Sequence, residues 1–216
     1  MTEDRKKDFL HLLDIISGIN YIRPEDLPNI SLYMDQVTTF MDEHLSSTRR
    51  HEDDKILTKT MINNYTKNRL LPPSEKKRYS KEHLLMLIFI YYFKNMLSIN
   101  DIQTLLSPLK EEYFQPGTGE KDMTFIYEEI YRLAIKQSRD ISKDLFRQFL
   151  TASGAFQDES EEDREYLTKF AFICLMSFDI YVRKFMIEHM IDEMSQKKTS
   201  ASEKKGKKES RKSRNP

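Results

Sequence analysis

The sequence contains little cysteine, glycine or proline, and each shortage excludes a class of protein. Cys174 is the only cysteine in 216 residues, so no disulfide can form within the chain, and a reducing compartment is favoured. Five glycines and seven prolines are too few for the many tight turns of an all-β protein. The dominant residues, among them Leu, Met, Lys and Glu, tolerate helix well. We therefore expect an all-α fold with at most a minimal β-wing.

Long apolar runs are also missing. The longest, residues 84–93 and 170–178, fall well short of the roughly 20 residues that cross a bilayer. The charged N-terminus lacks the apolar stretch of a signal peptide. These features predict a soluble, cytoplasmic protein with no membrane partner. Cys174 lies within the second run, so we expect it in the hydrophobic core.

Catalytic and metal-binding motifs are missing as well. The sequence has no Gly-x-Gly-x-x-Gly, P-loop, Gly-x-Ser-x-Gly or His-Glu-x-x-His pattern, each of which would mark a particular chemistry. His44, His51 and the acidic residues 52–54 fit a solvated loop better than a metal site. We therefore predict that the protein is not an enzyme and has no catalytic residue, no metal and no cofactor.

Charge is unevenly distributed, although the formal net charge is zero. Residues 1–54 carry six basic and twelve acidic residues, a net charge of −6. Residues 55–83 carry eight basic and two acidic residues, a net charge of +6, and residues 196–216 carry nine and two, a net charge of +7. A basic block that follows an acidic segment predicts contact with a polyanion.

Helical periodicity and its interruptions divide the chain into four expected segments. Residues 1–29 are an N-terminal helix and linker, and residues 30–108 are a helical domain that contains the basic block. After a Pro- and Gly-containing joint, residues 120–195 are a helical dimerisation or effector domain. Residues 196–216 are a disordered basic tail, because they show no apolar pattern.

Several finer features of the helices are also predicted. Ser98 and Asp101 form a capping box for a helix that Pro108 ends. The helical pattern after Asp122 breaks between residues 138 and 142. Eight aromatic residues are expected in the core or in a dimer interface: Tyr91, Tyr92, Phe93, Phe170, Phe172, Phe178, Tyr181 and Phe185.

The most informative stretch is residues 57–106. Thr58 is a good N-cap for a short helix whose apolar residues Met61, Ile62 and Tyr65 share one face. Amides on the other face can read adenine edges in a major groove, while lysines there and in the basic turn that follows bind phosphate. The predicted DNA-binding residues are Lys59, Thr60, Asn63, Asn64, Lys67, Lys76, Lys77 and Arg78.

The order of these features resembles the MerR-type DNA-binding domain. Residues 60–65 (TMINNY) are similar to the core of its recognition helix, and residues 69–73 (RLLPP) to the exit that follows. Residues 78–80 (RYS) match the end of its basic wing, and residues 96–102 (MLSINDI) match the joint of its next helix pair. The full chain is also similar to a family of uncharacterised bacterial proteins predicted to carry such a domain.

This resemblance implies a winged helix-turn-helix transcriptional regulator that binds double-stranded DNA as a homodimer and responds to a small-molecule or protein effector. The chain departs from the MerR pattern at three positions. Asn63 replaces an arginine, Asn64 replaces an aromatic residue, and Arg69 replaces a glycine. These departures leave an alternative hypothesis, a helical protein–protein adaptor that keeps the fold without binding DNA.

Overall fold

The computed structural model describes residues 7, 10, 11, 14, 21–115 and 121–212, with side chains up to residue 196. Within these residues the chain forms six α-helices and one pair of short strands. The helices are α1 (Met34–Leu45), α2 (Lys59–Lys67), α3 (Lys81–Phe93), α4 (Ile99–Tyr113), α5 (Met123–Ser153) and α6 (Glu161–Lys212). The strands, β1 (Leu32–Tyr33) and β2 (Arg78–Tyr79), pair antiparallel. The predicted all-α fold with a minimal β element is confirmed.

The sequence predicts a helix near the N-terminus and a tail at the C-terminus. The helix predicted before residue 20 falls largely outside the described residues. The backbone of α6 remains helical to Lys212, past residue 195, where its apolar pattern ends. The last residues of the predicted tail, 213–216, lie outside the described part.

Side-chain caps determine where two central helices begin. The Oγ1 atom of Thr58 accepts a hydrogen bond from the N–H of Met61 at 3.2 Å. Ser98 and Asp101 form a reciprocal capping box, in which each side chain accepts the backbone N–H of the other at 3.2 Å. These bonds satisfy donors that the first turn of a helix leaves unpaired. The caps predicted at Thr58 and Ser98 are confirmed.

Helix α3 lies at the centre of the main core. Every residue from His83 to Tyr91 is buried, and Ile62 of α2 and Ile102 of α4 belong to the same core. Burial of each large apolar side chain contributes about 1.5–3 kcal/mol. The apolar residues on all sides of α3 predict this central position, because such a helix has no face suited to solvent.

Two predicted helix breaks are wrong. Helix α4 continues through Pro108, because the lost backbone hydrogen bond is offset by the packing of Leu106 and Leu109 on the main core. Helix α5 is continuous through residues 138–142. There the hydroxyl of Ser142 donates to the carbonyl of Ser138 at 3.1 Å, a bond that accommodates serine inside a helix.

Helices α5 and α6 form an antiparallel hairpin with a small core of its own. Ala152 and Phe172 are buried there, and the ring of Phe149 meets that of Phe172 edge-on at a centroid distance of 5.6 Å. Farther along α6, Ile191 is buried in the main core. The hairpin is therefore anchored to the rest of the molecule along α6.

The start of α5 also belongs to the main core. Met123 and Tyr127 are fully buried there, and the hydroxyl of Tyr127 donates to the carbonyl of Ile22 at 2.6 Å. The main core thus includes residues that precede position 116 and residues that follow position 120. The predicted division of the chain at residues 108 and 120 stays a prediction.

The prediction that Cys174 lies in the core is wrong, because its side chain is exposed. The inner side of α6 is formed by Phe172 and Met176, and helical geometry places residue 174 on the opposite side. No helix in the described ranges has the length and apolar character needed to cross a membrane.

Candidate nucleic-acid interface

One face of α2 is buried and the opposite face is exposed. Ile62 is fully buried, and Met61 and Tyr65 pack against the same core. The exposed residues of the helix are Lys59, Thr60, Asn63, Asn64 and Lys67. Within the described part of the chain, the side chains of Asn63, Asn64 and Lys67 form no hydrogen bond or ion pair. Their amide and ammonium groups are therefore available to a ligand.

Helix α2 ends in a Schellman turn. The N–H of Leu70 donates to the carbonyl of Tyr65 at 2.9 Å, and the N–H of Arg69 donates to that of Thr66 at 3.0 Å. Arg69 has a φ of 60°, the left-handed conformation that this cap requires and that glycine adopts most easily. Arginine thus adopts here a backbone conformation that glycine usually supplies at the end of a helix.

The segment after Pro72 and Pro73 forms a β-hairpin with a two-residue turn. The N–H of Glu75 donates to the carbonyl of Arg78 at 3.1 Å, and the N–H of Arg78 donates to that of Glu75 at 2.8 Å. Lys76 and Lys77, which lie between Glu75 and Arg78, have φ values of 49° and 63°. Positive φ at both central positions is typical of a type I′ turn, which favours Asn-Gly. Two lysines there cost about 1–2 kcal/mol each in backbone strain, and their exposed side chains extend from its tip.

The hairpin and α2 both contact the N-terminal end of α1. Arg78 pairs with Tyr33 in the register of β1 and β2. Its guanidinium donates to the hydroxyl of Tyr33 at 3.1 Å and lies 5.0 Å from the centre of that ring. Two residues farther on, Asp35 forms an ion pair with Lys59 of α2. The structure therefore brings the base of the hairpin and the first turn of α2 to one place.

A buried histidine ties the hairpin segment to α3. The Nδ1 atom of His83 accepts the N–H of Ser80 at 3.1 Å, and Nε2 lies 3.3 Å from the carbonyl of Pro73. Burial lowers the pKa of His83, against the opposing effects of the Pro73 hydrogen bond and of the nearby Glu82 and Glu75 carboxylates. These partners fit a neutral ring that carries its proton on Nε2. One side chain thus holds both ends of the segment.

All eight predicted DNA-binding residues are exposed and belong to two neighbouring elements. We call the exposed side of α2, together with the hairpin 75–78, the basic surface. The side chains of Lys59 and Arg78 have intramolecular partners, as described above, while those of the remaining six have none among the described residues. The DNA-binding role of the eight residues stays a prediction.

Two cations at the C-terminal end of α2 were missed by sequence reasoning. Arg69 is exposed, and Nζ of Lys110 donates to its carbonyl at 2.9 Å. The positive charge of residue 69 is visible in the sequence. No sequence pattern, however, links it to a lysine 41 positions later on another helix. Both residues extend the basic surface beyond Lys67.

A separate groove of about 440 Å³ lies between α5 and α6. Two of its lining residues, Arg147 and Arg183, form ion pairs with Asp144 and Asp179 at 3.1 and 2.9 Å. Their charges are therefore balanced within each helix. Across the described ranges, no three His, Cys, Asp or Glu side chains come close enough together to hold a metal ion.

Comparison with protein families gives a match that covers both strands and helices α1 to α4. Residues 22–130, just over half of the chain, match the family model described as "Domain of unknown function (DUF1836)". The matched region begins at Ile22, which is buried in the main core, and ends at Ile130, which packs against that core. No curated protein and no solved structure matches the chain.

Proposed function

Because the chain belongs to the family Domain of unknown function (DUF1836), whose description assigns no activity, we propose a function from the basic surface itself. We propose that the protein is a sequence-specific transcriptional regulator that binds double-stranded DNA as a homodimer. Its DNA-binding unit is a MerR-like winged helix-turn-helix, with α2 in the major groove and the hairpin 75–78 on the adjacent phosphates.

The proposal is carried by the unpaired amides of Asn63 and Asn64 beside a strained lysine hairpin. An asparagine side chain can donate to N7 and accept from N6 of adenine in the major groove, which gives sequence discrimination. Lysines at the tip of a turn bind phosphates without reading sequence. Strained backbone of the kind found at Lys76 and Lys77 clusters at functional sites. An Asn-Gly turn would form the same hairpin with less strain, so the two lysines are best explained by a need for charge at that point.

The first test measures binding of the full chain to duplex DNA. Duplexes selected by the protein from a random-sequence library are labelled, and fluorescence anisotropy is recorded at several salt concentrations. We expect specific binding that weakens as salt rises, because phosphate contacts release counterions. In the variant Lys76→Ala/Lys77→Ala the slope of log K against log salt should fall by about 2, since each lost phosphate contact removes about 0.9.

A second variant separates base reading from phosphate binding. Asn63→Ala should weaken binding to the selected duplex by roughly 10- to 100-fold, the effect of losing 1–3 kcal/mol of base discrimination. Its binding to unrelated duplex should be unchanged. Lys136→Ala, which removes an exposed lysine of α5, is the matched control and should bind as wild type does. Absence of DNA binding by the wild-type chain at low salt would refute the proposal.

The adaptor hypothesis has one observation in its favour, a large exposed apolar face on α6. An adaptor predicts a stable complex with a different protein that forms equally well with Lys76→Ala/Lys77→Ala. Recovery of such a complex, together with absent DNA binding, would replace the regulator proposal.

In the regulator proposal, an effector, either a small molecule or a protein, would act through the hairpin of α5 and α6.

A further inference from the structure

Helix α6 exposes an unusual number of large apolar side chains. Nine of them have more than half of their surface open to solvent. Six of the nine share one side of the helix: Tyr166 68%, Phe170 53%, Ile173 55%, Phe178 68%, Tyr181 66% and Phe185 63%. We call these six residues the outer face of α6. The exposed Cys174 lies among them. Four of the six were among the aromatics predicted to lie in the core or in a dimer interface, and they lie outside the core.

These six residues form one stripe. At 3.6 residues per turn their positions fall within an arc of about 140°, on the side of the helix opposite the buried Phe172. The stripe is about 30 Å long, at 1.5 Å per residue. Between Phe170 and Tyr181 the only charged residue is Asp179, which lines the groove towards α5 on the inner side. The outer face is therefore apolar and uncharged over its central three turns.

The exposed area is too large for an isolated surface patch. A large aromatic side chain buries about 200 Å² when covered, so the six residues at their observed exposure offer roughly 700 Å² per chain. The largest apolar patch on a typical monomer is about 300–600 Å². A standard protein–protein interface buries about 800 Å² per partner. The outer face, with the polar rim that would surround it, reaches that size.

We propose that the outer face binds the same face of a second copy of the chain. The inference rests on the dimeric regulator proposed above and names the surface through which its two subunits associate. A stripe on a single long helix can pair with itself about a two-fold axis, as an isologous interface requires. Because its centre is uncharged, two copies do not repel each other. An anionic partner, by contrast, would find no cation there.

The test measures the mass of the full chain in solution, without DNA, by light scattering after size-exclusion chromatography at micromolar concentrations. Wild-type protein is expected at twice the chain mass of 25.8 kDa. The variant Phe178→Glu/Tyr181→Glu should be monomeric, because four like charges would lie in the dimer interface. Both side chains are exposed in the monomer, so its circular dichroism should stay that of a folded helical protein.

A matched control is Leu133→Glu. Leu133 of α5 is 65% exposed but lies outside the outer face, so this variant should stay dimeric. Cys174 supplies an independent readout, since a short bismaleimide should join two wild-type chains and fail to join two chains of the double variant. A monomeric wild type, a double variant that remains dimeric, or a wild type that associates with phosphatidylglycerol vesicles instead would each overturn the inference.

The outcomes separate this inference from the proposed function. A monomeric wild type that still binds the selected DNA duplex specifically would overturn the dimer surface alone. A dimeric wild type that binds no DNA would overturn the regulator alone and leave the dimer surface supported.

Discussion

The single side chain with the most consequences for the proposed interface is His83. It is 3% exposed, and its ring contacts both Tyr79 and Phe114 edge-on, at centroid distances of 5.5 and 4.8 Å. A protonated ring would lose its capacity to accept the N–H of Ser80 and would place a charge in the core. The shape of the hairpin segment thus depends on a neutral histidine.

His83 should make stability depend on pH. Because burial holds its pKa below the ordinary value of 6.5, the unfolded chain takes up a proton at a higher pH than the folded chain does. The stability that neutral His83 contributes is therefore complete above about pH 6.5. As pH falls below that value, the free energy of unfolding decreases by at most about 1.4 kcal/mol per pH unit until the folded-state pKa is reached. Urea denaturation at pH 7.5 and 5.5 measures the loss.

The variant His83→Gln is the control for that prediction. Glutamine is a common partner at this position of a capping box and does not titrate, so the variant should lose less stability than wild type over the same interval. An equal loss in both proteins would show that other groups cause the pH dependence.

At the scale of an element, the lysine hairpin combines poor turn residues with a well-defined turn. Its two backbone hydrogen bonds and its pairing with β1 keep Lys76 and Lys77 in left-handed conformations that their side chains disfavour. Strain of this kind persists only where the surrounding structure imposes it. The hairpin therefore carries two cations at its tip, and the strained backbone at these two residues lowers the stability of the folded chain.

Replacement of that turn by Asn-Gly should separate strain from charge. Lys76→Asn/Lys77→Gly supplies the favoured type I′ residues. We expect the free energy of unfolding to rise by about 1–2 kcal/mol, less than the summed strain of the two lysines, because glycine loses more backbone entropy on folding. DNA affinity should fall as it does in Lys76→Ala/Lys77→Ala. The alanine pair removes the same charges and retains the strain, so its stability should stay near that of wild type. Equal stabilities of the two variants in urea denaturation would contradict the strain argument.

At the scale of the whole molecule, one hydrogen bond links segments more than a hundred residues apart. The buried hydroxyl of Tyr127 stays protonated and uncharged, because burial and the neighbouring tyrosines hold its pKa far above the ordinary value. It donates to the carbonyl of Ile22, the first residue of the family match. The bond joins the start of the matched region to α5, the helix in which that region ends.

Removal of that donor should loosen the N-terminal part of the core. Tyr127→Phe leaves the carbonyl of Ile22 without its partner in a buried position, which costs about 1–3 kcal/mol. We also expect faster amide exchange over residues 22–27, measured by hydrogen–deuterium exchange. Tyr131→Phe, one turn farther along α5 and only half-buried, is the matched control. The same change in both variants would contradict a specific role for the Tyr127 bond.

Features set by near neighbours in the chain were predicted correctly from the sequence. The caps at Thr58 and Ser98 involve residues three positions apart, and the burial of α3 follows from its own apolar residues. The similarity to an uncharacterised family was also predicted, and the chain belongs to such a family, whereas the resemblance of its local motifs to the MerR-type domain stays a prediction. These features depend on contacts within about one helical turn, which the order of residues determines directly.

The tertiary structure alone decided how those elements meet. Lys110 caps the end of α2, and Lys59 and Arg78 both contact the start of α1, because the packing of helices on α3 brings distant positions together. The same packing carried α4 through Pro108, since burial outweighs one missing hydrogen bond. Cys174 lies on the exposed outer face because the opposite side of α6, which carries Phe172 and Met176, packs on α5. An apolar sequence can favour burial, but which face of a helix is covered depends on the partner that packs against it.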